Sequence, residues 1–572
     1  MKRAGEIALT VYKLLVVNLF EAIIGILLIL AAFFTCFIDK DEKTYFVQDS
    51  VLQNLLVLII FFIFWIFLRK NHKVSCWAKQ IESNQDLFQK CRRTLLFLLF
   101  GISVFWILTT QYTPGSDQEA IQNAVQHLHT GENSMFQRDG YLGQNGHQLG
   151  LVWIYYILSF IAGSQNFVAL QLLNALGLLC LYNALAGIGA HLGMCRVQQL
   201  QIILSGILFF PLIMYCSFLY GNVCGLAFSI YALKKEMDFL LEKRGKDFVS
   251  AALLITLAIL FKTNSLIFLI GMILLAVEES IRQRKAIYIS LSLVLIVCAM
   301  VGSIGVRTLS ERVSGNTLEG SSYWAYIAMG LQEAEGRAPG WYNGYVNDSW
   351  KASGFDKELQ GEAARKEVGQ TLKHFVEDPD DALSFLVKKT ASQWNNPTFQ
   401  CYNIVQWRES GIRQSKWVRE FVSANGADTG AKYLNFLEFI ILVGAFLYCL
   451  LFYKRSDFLF SLCLAVIFIG GFCFHIVWEA KGQYTISYFV LLIPYALAAY
   501  DRSVDILEEL PAKIKSIAGQ RERPIWRALF PLPAVFIIIF FIAALFTGGR
   551  NLELKADTER YYAFLEEQQE NG

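Results

Sequence analysis

Charged residues are scarce in this chain. Asp, Glu, Lys and Arg make up 17% of its 572 residues, and the formal net charge is +2, whereas soluble globular proteins have about 25% charged residues. No basic stripe is present that could neutralise a phosphate backbone, which excludes nucleic acid as a partner.

The sequence also lacks the signatures of several enzyme classes. The twelve cysteines lie mostly inside apolar segments, and no Cys or Cys/His spacing is typical of zinc. There is no Walker loop, no Gly-rich dinucleotide turn and no Ser/His/Asp order typical of a hydrolase. We therefore predict no metal and no bound cofactor, and we expect an activated substrate to come from the membrane.

Apolar residues supply 55% of the chain, in blocks of roughly twenty residues, the length that crosses a bilayer. This pattern predicts an all-α polytopic membrane protein with about 13–14 hydrophobic segments. The segments are Leu14–Ile38, Val51–Leu68, Thr94–Thr110, Leu149–Ala162, Phe167–Gly189, Gln199–Tyr215, Val223–Leu241, Phe248–Phe261, Ser265–Val277, Ala286–Val306, Tyr433–Phe452, Phe458–Ile476, Thr485–Tyr500 and Ala528–Phe546.

Five regions follow from these segments. They are an N-terminal anchor with a cytoplasmic loop (1–93), a membrane core containing the polar loop 111–148 (94–306), a mixed, mainly helical polar domain (307–432), a C-terminal membrane block (433–547) and a tail (548–572). Lys and Arg gather in cytoplasmic connections, so we predict that the polar loop, the polar domain, the turn around 475–484 and the tail share the extracytoplasmic face of the cell membrane.

One count conflicts with this topology. Three segments separate the polar loop from Tyr220–Asn222, but two regions on one face require an even number of crossings. Either one segment is re-entrant or Phe167–Gly189 conceals a turn. Leu149–Ala162 is the shortest of the three and is our first candidate for a segment that does not cross.

Asp117 is the candidate catalytic residue. It lies in the sequence GSDQEAIQNAVQHL, at the start of a predicted helix. Ser116 or Asp117 could cap that helix. Alternatively, a carboxylate at the membrane surface could act as the general base that accepts a proton from a sugar hydroxyl.

Two further polar clusters are candidate substrate-binding groups. Asp139, Tyr141, Asn145 and His147 precede the return to the membrane, and His147 is either a metal ligand or a hydrogen-bonding residue. Lys481 either pairs with Glu479 as a structural tie or holds a phosphate, as a cation at a tight turn between apolar spans. Lys262 either snorkels to the interface or supplies a second cation. The second cluster is Lys262, Asn264, Glu479, Lys481, Gln483 and Tyr484.

Trp341 and Tyr342 lie in a Gly-rich loop, GLQEAEGRAPGWYNGYVN. Aromatic rings offer faces on which sugar C–H groups rest, but they serve equally well in ordinary packing. We single out this pair as candidates for substrate contact.

Several motifs resemble those of the GT-C superfamily of polyprenyl-phosphate-sugar glycosyltransferases, and most of all the family 39 enzymes related to protein mannosyltransferases, of the Gram-positive bacterial type. They are Asp117, SFLYGN (Ser217–Asn222), KTNSL (Lys262–Leu266), MGLQ and PGWYNGY (Met329–Gln332, Pro339–Tyr345) and FHIVWEAKGQYTISYF (Phe474–Phe489). The resemblance implies a GT-C-like bundle and inverting transfer, with Asp117 as base and Lys481 at the donor phosphate. The chain departs from the family in its two extra N-terminal spans and in SDQE, where mannosyltransferases have adjacent acidic residues.

The sequence therefore predicts a membrane glycosyltransferase that moves a sugar from a polyprenyl-phosphate carrier to an envelope glycan or glycolipid. One alternative is a flippase or transporter of a lipid-linked sugar, although the chain shows no duplicated halves. Another is a polymerase or ligase of lipid-linked oligosaccharides, which would use Arg307, Arg312 or Arg337.

Overall fold

A computed structural model of the chain describes residues 2–406, 415–452, 461–518 and 552–570. The predicted segment Ala528–Phe546 lies outside the described residues.

The described residues form helices and one two-stranded antiparallel sheet. The helices are α1 (Lys2–Phe33), α2 (Val51–Lys70), α3 (His72–Ser83), α4 (Gln85–Thr110), α5 (Asp117–Thr130), α6 (Tyr141–Gln144), α7 (Leu149–Ala162), α8 (Phe167–His191), α9 (Arg196–Leu208), α10 (Pro211–Met214), α11 (Asn222–Glu242), α12 (Gly245–Phe261), α13 (Leu266–Gln283), α14 (Ile287–Ser314), α15 (Tyr323–Gly330), α16 (Tyr345–Ala352), α17 (Lys357–Glu377), α18 (Pro379–Trp394), α19 (Cys401–Gln406), α20 (Lys416–Val422), α21 (Ala424–Phe452), α22 (Cys463–Val477), α23 (Gly482–Phe489), α24 (Leu492–Ala518) and α25 (Leu552–Glu570). The strands are β1 (Phe34–Ile38) and β2 (Thr44–Gln48), paired from Phe34 with Gln48 to Ile38 with Thr44.

The protein is an all-α polytopic membrane protein. Within the described ranges, seven helices are long and apolar enough to cross a bilayer, or up to nine if each of two bent helix pairs is one span. This is fewer than the number of predicted segments for several reasons. Helices α7 and α22 are too short, and α11 and α12 are not among the candidate spans. Gln199–Tyr215 is broken, with a bend of 59° between Arg196–Leu208 and Pro211–Ser217, and a bend of 46° separates Gly482–Phe489 from Leu492–Glu509. The prediction Leu14–Ile38 also extends too far, since its last five residues form β1.

The end of the bundle that carries the sheet is called the hairpin face below. Helix α7 contacts the turn after α12, helix α5 and helix α14. The Thr263 hydroxyl donates to the carbonyl of His147 just before α7 (3.4 Å), and Ser159 in its last turn lies 2.6 Å from the His129 ring of α5. Trp153 donates to Ser310 near the end of α14 (2.7 Å). Helix α8 is continuous, so Phe167–Gly189 conceals no turn, and α7 is too short to count among the candidate spans.

The first helix of the N-terminal segment is part of the common core. Helix α1 packs against α13, α21 and α22, and its side chains Phe20, Ile24 and Leu27 are buried in the common core. It is apolar on more than one side, which suits a helix surrounded by other helices. Helix α2 behaves as expected of an anchor, because none of its residues is buried.

Helix α25 docks on the sheet at the hairpin face. The amides of Phe46 and Gln48 donate to Asp557 (3.4 Å) and Thr558 (2.9 Å), which satisfies two backbone groups of β2. The ring of Tyr561 stacks on Phe37 with centroids 4.4 Å apart. The tail thus lies at the hairpin face.

The polar domain is mainly helical, and its boundaries differ from the prediction. Helix α14 continues to Ser314, and α21 begins at Ala424, so both membrane helices extend into the region assigned to the domain. Helices α15 to α20 lie between them. The two longest of these are α17 and α18.

Close packing between α21 and α24 depends on Gly444. A Cβ atom at this position would lie 2.6 Å from the Cβ of Ala496 and 2.7 Å from the ring of Tyr500. Small residues permit this approach of membrane helices, and overpacking costs about 1–3 kcal/mol.

We expect Gly444→Ala to lower the midpoint of thermal unfolding in detergent, as measured by tryptophan fluorescence. Gly101→Ala is the control, because nothing lies within 4 Å of its added Cβ; equal midpoints in the two variants would contradict this packing.

Candidate functional site

A cavity of about 930 Å³ opens at the hairpin face. It is bounded by the polar loop, the turn after α12, the turn between α22 and α23, the sheet's own turn and the polar domain. Eleven of the thirteen predicted site residues line it, namely Asp117, Tyr141, Asn145, His147, Lys262, Asn264, Tyr342, Glu479, Lys481, Gln483 and Tyr484. The fold therefore brings together groups from five separate parts of the chain.

Asp117 is the first residue of α5 and its carboxylate faces the cavity. The N-cap residue, Ser116, makes no side-chain capping bond and has φ +51°, so the helix start is not closed by the Ser116 side chain. The hydroxyl of Tyr220 donates to Oδ2 of Asp117 (3.1 Å). A position in the first helical turn also favours a negative charge. The carboxylate is thus oriented by Tyr220 while remaining exposed to the cavity.

The following residue, Gln118, fixes the helix start in the bundle. It is buried, its amide group donates to the hydroxyl of Tyr112 (3.1 Å), and its oxygen accepts from the backbone amide of Leu219 (2.7 Å). The same bond holds the segment that carries Tyr220. Asp117 and its hydrogen-bond donor are therefore positioned together.

Lys262 follows the last residue of α12, and its amine lies between two aromatic rings. Nζ is 3.9 Å from the ring centroid of Tyr220 and 5.7 Å from that of Tyr484. No carboxylate among the described residues lies within 4 Å of this amine. Burial lowers the pKa of Lys262 to about 7, although Asp117 and Glu479 favour the charged form. An anion bound here would restore the charge.

Lys481 lies in a different electrostatic setting. Its Nζ is 3.3 Å from Glu42 and 3.9 Å from Glu479. Burial opposes its charge, but Glu42, Glu479 and Asp117 together outweigh that effect and raise the pKa of Lys481. Burial conversely raises the pKa of Glu479 against the influence of Lys481. The structural tie between Lys481 and Glu479 is thus present, and it includes Glu42.

A buried lysine outside the cavity supports the turn that carries Glu479. Nζ of Lys389 donates to the carbonyl oxygens of Trp478 (2.9 Å) and Gly330. Gly330 lies so close to this turn that an added Cβ would be 2.5 Å from the carbonyl oxygen of Val477. The Glu479 turn is therefore fixed to the polar domain through its backbone.

An aromatic wall faces these charges. Tyr326 and Trp478 stack with centroids 5.1 Å apart and planes at 9°. His147 meets Tyr326 edge to face at 6.1 Å. Beside them, Asn347 donates to the hydroxyl of Tyr342 (2.8 Å). Rings and amides of this kind suit the apolar faces and hydroxyl groups of a saccharide.

Two predicted site residues lie elsewhere. Asp139 is exposed and is not part of the cavity wall, because its backbone turns away before α6. Trp341 is completely buried and donates to Ser392 (2.7 Å), so its ring serves packing. Trp341 and Asp139 therefore do not contact a ligand in this cavity, whereas the neighbouring Tyr342 lines it.

Comparisons with protein-family models, with curated proteins and with solved structures find no match. The site must therefore be judged on its own geometry.

Among the wall residues that were not predicted as site residues are Glu42, Tyr220 and Tyr326, and Arg337 was named only for the polymerase or ligase alternative. Tyr220 belongs to SFLYGN, one of the motifs that resemble those of the GT-C superfamily. Tyr326 lies only three residues before MGLQ. Glu42 had no such signal, because the sequence DKDE at residues 39–42 is typical of an ordinary exposed turn.

As for metals, within the described part of the chain no group of three or more His, Cys, Asp or Glu side chains is placed to hold a metal ion. His147, the candidate metal ligand, therefore belongs to no such group.

The two cavity lysines should differ in reactivity. At pH 8 the Lys262 amine, with its pKa near 7, is mostly neutral and nucleophilic, whereas Lys481 stays charged. We expect acetic anhydride to acetylate Lys262 many times faster than Lys481, as measured by peptide mass spectrometry of the folded protein. Denatured protein is the control, in which both lysines should react alike. Equal rates in the folded state would refute this difference in pKa.

Proposed function

We propose that the protein is a membrane glycosyltransferase of GT-C type that transfers a sugar from a polyprenyl-phosphate carrier to an envelope glycan or glycolipid. Transfer would take place at the extracytoplasmic face, which we assign to the hairpin face. The observation that carries the proposal is the pairing of Asp117 with an uncompensated amine, Lys262, through the shared contact with Tyr220. The resemblance of the surrounding motifs supports the same reading.

Asp117 supplies the base. In the proposed step, an acceptor hydroxyl attacks the anomeric carbon and its proton passes to the Asp117 carboxylate. The new bond joins the anomeric carbon to the acceptor oxygen, and the bond from that carbon to the phosphate oxygen breaks with its electron pair on the phosphate. A single displacement inverts the configuration.

Lys262 is better suited than Lys481 to receive the departing phosphate. Lys481 already has two carboxylates within 4 Å, so an incoming phosphate would have to compete with them. Lys262 has no carboxylate within 4 Å among the described residues. The rings of Tyr220 and Tyr484 contact its amine without neutralising the charge. Charge that develops on the phosphate oxygen would be stabilised by the protonated amine.

The cavity location fits a substrate that comes from the bilayer. Leu266 and Ile267, at the start of the membrane helix α13, belong to the same wall as Lys262 and Asn264. Apolar side chains therefore adjoin the cation, as a lipid chain joined to a phosphate requires. The stacked rings of Tyr326 and Trp478 lie where a sugar acceptor could approach from the aqueous side.

Replacing the base tests the proposal. In proteoliposomes supplied with a panel of undecaprenyl-phosphate sugars, we expect Asp117→Asn to reduce transfer at least ~100-fold, as for loss of a general base. Glu119→Gln is the matched control, because Glu119 is in the same helix turn but not in the cavity wall, and it should retain activity. An active Asn variant would remove Asp117 from the mechanism. Movement of the carrier between leaflets without sugar consumption would identify a flippase instead.

A further inference from the structure

Glu42 is a carboxylate from the sheet's turn that lies among the cations of the cavity. It is 7% exposed. Its Oε1 is 3.3 Å from Nζ of Lys481, and its Oε2 is 3.2 Å from the guanidinium of Arg337. Neither the glycosyl transfer proposed above nor the packing of the sheet requires an acidic side chain at this place.

The backbone holds Glu42 in position. Its φ of +63° lies in the left-handed region, which a residue other than glycine adopts when its surroundings impose it. Its amide donates to the carbonyl of Asp39 (3.0 Å). The turn is in turn fixed by Asn403, which donates to the carbonyl of Ile38 (3.2 Å), and by Thr44, which accepts from the amide of Ala338 (3.1 Å). The carboxylate is therefore preorganised.

Glu42 determines how much positive charge the cavity offers. Arg337 has Glu42 as its carboxylate partner, and Lys481 shares Glu42 with Glu479. Three basic side chains of the cavity wall matter here: Lys262, Arg337 and Lys481. Among them, only Lys262 has no carboxylate within 4 Å in the part of the chain that the structure describes. One phosphate charge can thus be matched at Lys262, but a second negative charge placed toward Lys481 would meet the like charge of Glu42.

We propose that Glu42 is a specificity-determining residue, a built-in counter-anion that restricts the cavity to carriers with a single phosphate and disfavours diphosphate-linked ones. This inference rests on the proposed function, since it concerns the carrier that binds at Lys262. The Glu42 carboxylate would act by repelling the second phosphate charge of a diphosphate carrier. Specificity of this kind comes from weakening the binding of the wrong ligand, without tightening the binding of the right one.

The test compares two probes that differ by one phosphate, farnesyl methyl phosphate and farnesyl methyl diphosphate. Their affinities for the purified full-length protein in detergent would be measured by isothermal titration calorimetry. We expect wild type to favour the monophosphate. In Glu42→Gln, which keeps the size of the side chain, the affinity ratio should shift toward the diphosphate by roughly tenfold, which corresponds to ~1.4 kcal/mol.

Two further variants separate this effect from others. Asp41→Asn removes the same charge one residue away, from a side chain that makes no ion pair with the described residues, and should leave the ratio near that of wild type. Glu42→Gln combined with Arg337→Gln removes the liberated cation and should return the ratio toward wild type. An unchanged ratio in Glu42→Gln, or the same shift in Asp41→Asn, would overturn the role of Glu42 while leaving the proposed function intact. Failure of wild type to bind either probe would overturn both.

Discussion

The ion pairs of Glu42 with Lys481 and with Arg337 join three segments that lie far apart in the chain. Glu42 belongs to the turn after the first helix, Arg337 to the polar domain, and Lys481 to the turn between α22 and α23. Buried charges are costly unless they are paired, so each of these three segments needs the others in place. The cavity is consequently the region where charged side chains of these three segments neutralise one another.

This arrangement explains why two lysines in one cavity behave differently. Carboxylates keep Lys481 charged, whereas burial lowers the pKa of Lys262 to about 7 and leaves its charge without a carboxylate partner among the described residues. A group whose charge is balanced internally contributes to structure, and a group whose charge is unbalanced is available to a ligand. The identity of the residue, lysine in both cases, gives no hint of this division.

The sequence was informative where chemistry demands unusual residues in apolar surroundings. Asp117 after a membrane helix, Lys262 at a tight turn and the charged turn at Glu479 stand out against the low charge of the chain, and all three line the cavity. Glu42 did not stand out, because acidic residues in a short turn are common and its partners lie far away in the chain. Trp341 is buried and does not line the cavity, because a ring in a Gly-rich loop fits a core as well as a sugar site. The position of α7 depended on its contacts with α5 and α14, and a short apolar run cannot reveal these.

The docking of α25 on the sheet has a consequence for biosynthesis. The amide of Phe46 is bonded to Asp557, a residue 511 positions later. A chain emerging from the ribosome has made its hairpin long before α25 exists, so two amides of β2 must first be satisfied by water. The same turn carries Glu42 to the cavity. The hairpin that carries Glu42 therefore gains these two bonds only after α25 has been synthesised and has docked on β2.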